Sequence, residues 1–208
     1  MNLAYPLVCW GALPLYFREI EVLGQENIPT TGPVILAPTH RSRWDPLLIG
    51  STAGRWVSGH DLRFMVSANE VSGIQGWFIR RLGGFPVDPK RPAIASLRHG
   101  VELLQSKEML VIFPEGGIFR DGHVHPLKPG LARLALQAEI MQPSLGVKIL
   151  PITLHYGHPQ VTWGCGVEIR IGKPLHVSDY TSGNVKESAR QLTSVLESSL
   201  KGLNENYL

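Results

Sequence analysis

Two kinds of apolar segment alternate along the chain, and their periods predict different elements. Short runs that are wholly apolar, or apolar at every second position, predict strands. These runs lie at 20–23, 34–38, 62–67, 109–113, 147–154 and 167–171. Longer segments with apolar residues at helical spacing predict helices. They lie at 47–54, 71–81, 92–107, 131–141 and 185–200.

This alternation predicts an α/β fold, a single layered domain with a largely parallel central sheet flanked by helices. A chain of 208 residues is long enough for one such domain. Ligands of these sheets bind beyond the carboxyl ends of the strands. Two polar clusters follow predicted strands: THRSRWDP comes after VILAP, and PEGGIFRDG comes after MLVIF. We therefore expect the function to lie in these two loops.

The first 17 residues form a segment distinct from the domain expected over 18–208. No charged side chain occurs between Asn2 and Phe17. The run is too short for a spanning helix and is interrupted by two prolines. Because its tryptophan and tyrosines favour the headgroup level of a bilayer, we expect an interfacial membrane-associating segment. The alternative is a helix packed on the domain core.

Composition narrows the class of protein. With 43% hydrophobic and 18% charged residues, the chain is not disordered. Two cysteines without a C-x-x-C pair argue against a disulfide scaffold or a structural zinc site, and they favour a reducing compartment. The net charge of +3 is too small for a dedicated nucleic-acid binder. Residues 40–91 nevertheless hold eight basic and four acidic side chains, which suits an anionic ligand, partner or membrane surface, or else an ordinary solvated face.

The first cluster contains His40 and Asp45, five positions apart across a predicted strand-to-helix turn. An imidazole held by a carboxylate is a general base in a defined tautomer. The competing interpretation is that Asp45 only caps the next helix, with Pro46 at its first position. No G-x-S-x-G serine and no cysteine near His40 offers a nucleophile. If His40 is a base, its target is therefore a hydroxyl of the substrate.

The second cluster, FPEGG at 113–117, ends an apolar strand with a carboxylate followed by two glycines. Glycines permit close backbone approach, and the Glu115 carboxylate can accept hydrogen bonds from substrate hydroxyls. Alone, the motif is equally compatible with a solvated turn. Two further segments, GGFPVDP at 83–89 and LPIT at 150–153, follow in order along the chain.

Together these four segments resemble the glycerolipid acyltransferases typified by 1-acyl-glycerol-3-phosphate acyltransferase, over about residues 24–153. The resemblance implies that His40 and Asp45 are the catalytic pair, that Glu115 and Gly116 contact the acceptor, and that Pro151 lines the acyl site. It implies transfer from acyl-CoA or acyl carrier protein to lysophosphatidate, giving phosphatidate, and we expect no cofactor, metal or nucleic acid. We expect a peripheral or monotopic protein on the cytoplasmic face of a membrane.

The chain departs from the family pattern where the acceptor phosphate would bind. The family usually has Thr-Arg-Ser after Glu-Gly, whereas Gly117, Ile118 and Phe119 stand there. The candidate cations are Arg120, Arg91 and Lys128. The acceptor could therefore be another lysophospholipid or a lysoglycolipid. A noncatalytic lipid-binding relative is a further alternative, although such a protein has no need of a paired base and carboxylate.

Overall fold

The described part of the chain forms one eight-stranded sheet in the computed structural model, which describes residues 6–68, 71, 73–87 and 94–205. The strands are β1 (Glu19–Leu23), β2 (Val34–Pro38), β3 (Leu62–Ser67), β4 (Gly84–Val87), β5 (Met109–Val111), β6 (Lys148–Tyr156), β7 (Gly166–Ile171) and β8 (Leu175–His176). The helices are α1 (Leu13–Tyr16), α2 (Asp45–Ala53), α3 (Arg55–Ser58), α4 (Gly73–Arg81), α5 (Ile94–Gln105), α6 (Gly130–Met141) and α7 (Val185–Glu205).

The strand order is β1-β7-β6-β2-β5-β3-β4, and β8 pairs with β6. Every pairing is parallel except those of β6 with β7 and β8. The predicted α/β fold with a largely parallel sheet is therefore confirmed. Because β2 lies between β5 and β6 and runs parallel to both, the loops after these three strands meet at one edge. This arrangement brings the two polar clusters together.

The central strands are buried on both faces, as their apolar runs predict. Ile35 and Ile149 face a layer formed by α5, α6 and α7. Leu36 and Leu150 face the opposite layer, which α2 and the N-terminal segment provide. All four side chains are fully inaccessible to solvent, and each such side chain stabilises the fold by roughly 1.5–3 kcal/mol.

The sequence pattern missed the elements that depend on pairing with distant residues. The segment GGFPVDP contains the strand Gly84–Val87, which pairs along its whole length with β3. The two-residue β8 and the 3-10 turn Val177–Tyr180 were not expected, since neither has a period that sequence can display. Apolar runs of five or six residues were located well, and β3 has the predicted bounds.

The N-terminal segment has an inner and an outer face. A π-helical turn at Leu7–Ala12 leads into α1. Leu13 and Phe17 are buried in the core, whereas Leu7, Trp10 and Leu15 are about 70% exposed. None of the described helices combines the length and the hydropathy that a membrane crossing requires. The segment thus packs on the domain while presenting apolar side chains to the outside.

Candidate active site

The loop after β2 is held in place by hydrogen bonds to β6 and to the loop after β5. The Thr39 amide donates to the Ile152 carbonyl, and the Thr39 hydroxyl accepts from the Leu154 amide. The His40 carbonyl accepts from the Phe119 amide at 2.8 Å. These bonds connect the loop to β6 on one side and to the loop after β5 on the other, so His40 has a defined position.

His40 and Asp45 are in direct contact. The His40 Nδ1 atom lies 2.8 Å from Asp45 Oδ2, and the Asp45 side chain is fully buried. The same oxygen accepts the backbone N–H groups of Arg41, at 2.6 Å, and Ser42, at 2.8 Å. The other oxygen, Oδ1, accepts the Tyr156 hydroxyl at 2.5 Å. Four donors therefore compensate for burial of the carboxylate charge.

This environment assigns the roles of the two imidazole nitrogens. Because a carboxylate only accepts hydrogen bonds, Nδ1 carries the proton and Nε2 carries the lone pair. The His40 side chain is 17% exposed, and its ring stacks on Phe113 with centroids 4.0 Å apart. Its Nε2 has no hydrogen-bond partner within the described ranges. The ring is thus fixed on one side and available to a substrate on the other.

The interpretation of Asp45 as a helix cap is wrong. Asp45 is the first residue of α2, Trp44 occupies the N-cap position, and no side chain caps this helix. The turn at 43–44 starts the helix one residue earlier than the position of Pro46 suggests, so the carboxylate points back toward residues 40–42. Its role is to hold the loop and the imidazole.

Glu115 links the two loops through a buried ion pair. Its Oε2 accepts the His40 amide at 2.9 Å, and its Oε1 accepts the His125 amide at 2.9 Å. Arg41 donates to both oxygens at 2.9 and 3.1 Å, and it donates through Nη2 to the His123 carbonyl. Arg41 is 5% exposed and the Glu115 side chain is fully buried. Both carboxylate oxygens are directed at protein donors.

Gly116 and Lys128 meet at the same loop. Gly116 has a φ of +70°, which favours glycine, and a Cβ at this position would lie 2.5 Å from Lys128 Nζ. The Lys128 amide donates to the Pro114 carbonyl at 2.9 Å. The Lys128 ammonium therefore lies directly against the loop that holds Glu115.

The remaining predicted residues are Arg120, Pro151 and Arg91. Arg120 is exposed and lines a cavity of about 260 Å³, together with Arg41, His123, His155, Tyr156 and His158. Pro151 is buried inside the sheet, paired with Ala37, and is not brought to the loops that hold His40 and Glu115. Arg91 lies outside the described residues.

A comparison with protein-family models identifies the family of the chain. The family model described as acyltransferase matches residues 19–155, which is more than half of the chain. The chain belongs to the acyltransferase family. The match begins at β1, ends one residue before Tyr156, and includes both loops of the site.

Individual relatives of this acyltransferase are moderately similar. A 1-acyl-sn-glycerol-3-phosphate acyltransferase of Bacillus subtilis is 26% identical over 197 residues, covering 91% of this chain and 89% of the relative. A Streptococcus pneumoniae protein of the same name is 28% identical over 158 residues, and the match covers 72% of this chain and 53% of that protein. The chain thus spans about half the length of some relatives. Mitochondrial glycerol-3-phosphate acyltransferase 1 of Sus scrofa is 30% identical over 60% of this chain, which covers 16% of that protein.

Among solved structures, the 1-acyl-sn-glycerophosphate (LPA) acyltransferase PlsC from Thermotoga maritima has a TM-score of 0.71 to this acyltransferase. The two chains are 23% identical, and the alignment covers 99% of this chain and 79% of PlsC. This likeness shows that the fold is shared.

Sequence reasoning missed two residues of the acyltransferase site, Arg41 and Tyr156. Arg41 was counted only as one basic side chain, although it directly follows the candidate base. Tyr156 is the last residue of β6, the strand that carries the LPIT segment and pairs with β2. Its position at the end of this strand is the feature that could have identified it as a site residue. Burial of Tyr156 and the charge of Asp45 raise the pKa of the phenol well above its ordinary value, so it remains a donor.

Proposed function

We propose that this acyltransferase moves a fatty acyl group from a thioester donor to the free hydroxyl of lysophosphatidate, giving phosphatidate. The observation that carries the proposal is the His40–Asp45 contact at the exit of β2, inside the region matched by the acyltransferase family. The relatives named 1-acyl-sn-glycerol-3-phosphate acyltransferase support the choice of acceptor. Acyl-CoA and acyl carrier protein are the two donor classes.

His40 acts as the general base in this reaction. Its Nε2 takes the proton of the acceptor hydroxyl as the hydroxyl oxygen attacks the thioester carbonyl carbon. The tetrahedral intermediate then collapses, the carbon–sulfur bond breaks, and the thiolate takes the proton from the imidazolium. Asp45 keeps Nδ1 protonated in the resting state and stabilises the imidazolium that forms.

Lys128 is our first candidate for the cation that binds the phosphate of the acceptor. Its ammonium lies against Gly116, next to the residue that links the two catalytic loops. Arg120, which follows the usual arginine position by two residues, is exposed on the neighbouring cavity and is the second candidate. A hydrogen bond to a charged group contributes about 1.5–3 kcal/mol, which corresponds to roughly 10–100-fold in affinity.

The outer face of the N-terminal segment supports a location on a membrane surface, where acyl-chain substrates reside. Leu7, Trp10 and Leu15 are exposed there, and Trp10 stacks on the exposed Trp56 with ring centroids 4.6 Å apart. Tryptophan and leucine on one face of a helical segment favour the interface of a bilayer. Together with the thioester donors, this surface favours a peripheral or monotopic protein on the cytoplasmic face.

The test is an acyl-transfer assay with purified protein, acyl-CoA or acyl carrier protein, and a panel of acceptors. The panel contains lysophosphatidate, a lysophosphatidylcholine, a lysoglycolipid and glycerol 3-phosphate, which the similarity to glycerol-3-phosphate acyltransferases makes relevant. We expect phosphatidate, detected by mass, with wild-type protein and a rate roughly 10²–10⁴-fold lower with His40→Ala. Preference for another acceptor would replace lysophosphatidate in the proposal, and no transfer to any acceptor would reject it.

The acceptor site is tested with two single variants in the same assay. Lys128→Ala should raise the Michaelis constant for lysophosphatidate about 10–100-fold and leave that of the acyl donor unchanged. Lys173→Ala, which removes an exposed lysine near β7, is the matched control. An increase with Arg120→Ala and none with Lys128→Ala would assign the phosphate to Arg120.

A further inference from the structure

Tyr156 makes a contact with the Asp45 carboxylate that differs from all the others. Its hydroxyl donates to Oδ1 at 2.5 Å, whereas the His40 ring and the amides of Arg41 and Ser42 all bind Oδ2. Within the described ranges, Tyr156 is therefore the only hydrogen-bond donor to Oδ1. It comes from β6, 111 residues from Asp45 along the chain.

The position of the phenol is set by the fold. Tyr156 is the last residue of β6, where the strand is paired with β7 through Val167. Its ring packs against Phe17, with centroids 6.1 Å apart, and Phe17 is 3% exposed. A phenol anchored by a strand and by a buried aromatic side chain has little rotational freedom, so its hydroxyl is a fixed donor.

A fixed donor on Oδ1 determines the plane of the carboxylate. The terminal torsion of an aspartate is broad, so a carboxylate held through one oxygen can rotate about its Cβ–Cγ bond. Rotation would move Oδ2 away from the His40 Nδ1 atom, 2.8 Å distant. With Tyr156 on one oxygen and the loop amides on the other, only one orientation satisfies all donors.

We propose that Tyr156 is a positioning residue that orients the Asp45 carboxylate toward His40 and thereby fixes the tautomer of the catalytic imidazole. It acts through Asp45 and does not touch the reacting atoms. The proposal deepens the proposed acyl transfer and rests on it for its kinetic consequences. The orientation of the imidazole can be measured independently of activity.

The kinetic test compares Tyr156→Phe with Tyr16→Phe. Tyr16 is the matched control because its half-buried hydroxyl also donates to one acceptor, the Val161 carbonyl at 3.1 Å. We expect Tyr156→Phe to lower kcat about 10–100-fold with both Michaelis constants within twofold of wild type, and Tyr16→Phe to leave kcat unchanged. In a His40→Ala background, Tyr156→Phe should cause no further loss, because the residue acts through the histidine.

The second measurement is nitrogen NMR of histidine-labelled protein. In wild type, His40 should give a downfield Nδ1–H proton, and this signal should broaden or disappear in Tyr156→Phe while persisting in Tyr16→Phe. If Tyr156→Phe does not fold, fluorotyrosine at position 156 keeps the ring and strengthens the donor, and the same proton should shift. An unchanged proton, or wild-type kcat in Tyr156→Phe, would overturn the proposal. Absence of acyl transfer in wild type would reject the proposed function but leave the NMR result informative.

Discussion

At the scale of single residues, the site depends on the different roles of the two ring nitrogens of His40. Nδ1 is occupied by Asp45, and Nε2 has no hydrogen-bond partner among the residues that the structure describes. A group with this role contributes to the transition state and little to the core.

His40→Ala should therefore lower kcat by roughly 10²–10⁴-fold. The melting temperature should change by no more than a few degrees, because the ring is partly exposed and makes its main packing contact with Phe113. Steady-state kinetics and a thermal melt on the same sample check both parts. Wild-type turnover in this variant would show that His40 is not the base.

His155 makes the stability of the fold sensitive to acid. Burial lowers the pKa of its imidazole from 6.5 to about 4. Above pH 6.5 neither state binds a proton at this site. Between pH 6.5 and 4 only the unfolded chain does, so stability falls as the pH is lowered through this window.

His155→Gln should therefore have a shallower decrease of melting temperature between pH 6.5 and 4 than wild type. Glutamine can retain the contact with the Thr153 hydroxyl, which lies 3.0 Å from His155 Nε2. The exposed His176→Gln is the control and should keep the wild-type slope. Equal slopes in all three proteins would contradict the assignment of the acid sensitivity to His155.

The residues that could be predicted from sequence are those whose partners are near in the chain. His40 and Asp45 are five positions apart, and their spacing was compatible with a paired base or with a helix cap until the resemblance to the acyltransferases favoured the pair. Arg41 and Tyr156 act on partners 74 and 111 residues away. Such contacts are created by strand order, which hydrophobic periodicity does not encode.

At the scale of elements, the ion pair of Arg41 and Glu115 joins the loops after β2 and β5. Neither strand is longer than five residues. Because the pair is buried, loss of either partner would leave an uncompensated charge between the two loops. The spacing of FPEGG located this loop but could not show that its carboxylate is directed inward.

Glu115→Gln should destabilise the fold by about 3–5 kcal/mol, because it leaves the buried Arg41 charge uncompensated. It should also lower kcat, since Glu115 accepts the amide of His40. The double variant Arg41→Met, Glu115→Met should recover much of the stability. Denaturant titrations measure these differences. A Glu115→Gln protein with wild-type stability and a raised Michaelis constant for the acceptor would instead place Glu115 at the substrate.

At the scale of the whole molecule, the N-terminal segment is both a part of the core and an exposed apolar surface. Leu13 and Phe17 are buried, and Phe17 packs against the same tyrosine that contacts Asp45. The sequence presented membrane contact and core packing as alternatives, because a short apolar run does not reveal which of its faces is covered.

Trp10→Ser with Leu15→Ser should weaken binding to vesicles of anionic phospholipid about tenfold or more, and lower the melting temperature by only a few degrees through loss of the Trp10–Trp56 stack. Met141→Ser, which replaces an apolar side chain 61% exposed at the end of α6, is the matched control. Co-sedimentation measures binding. Deletion of residues 1–17 should lower the melting temperature, because it removes Leu13 and Phe17 from the core. Unchanged vesicle binding in the double serine variant would place the membrane contact elsewhere.

The position of β2 between β5 and β6 also has a consequence for the order of events during synthesis. β2 has left the ribosome long before either neighbour exists, since β5 begins at Met109 and β6 ends at Tyr156. At 5–20 residues per second, this interval is on the order of ten seconds, during which a wholly apolar strand lacks its sheet. An unpaired apolar strand is a site of aggregation, so the nascent chain is most exposed to misassociation between the synthesis of β2 and that of β6. The Asp45 carboxylate receives its hydrogen bond from Tyr156 only after the end of β6 has been made.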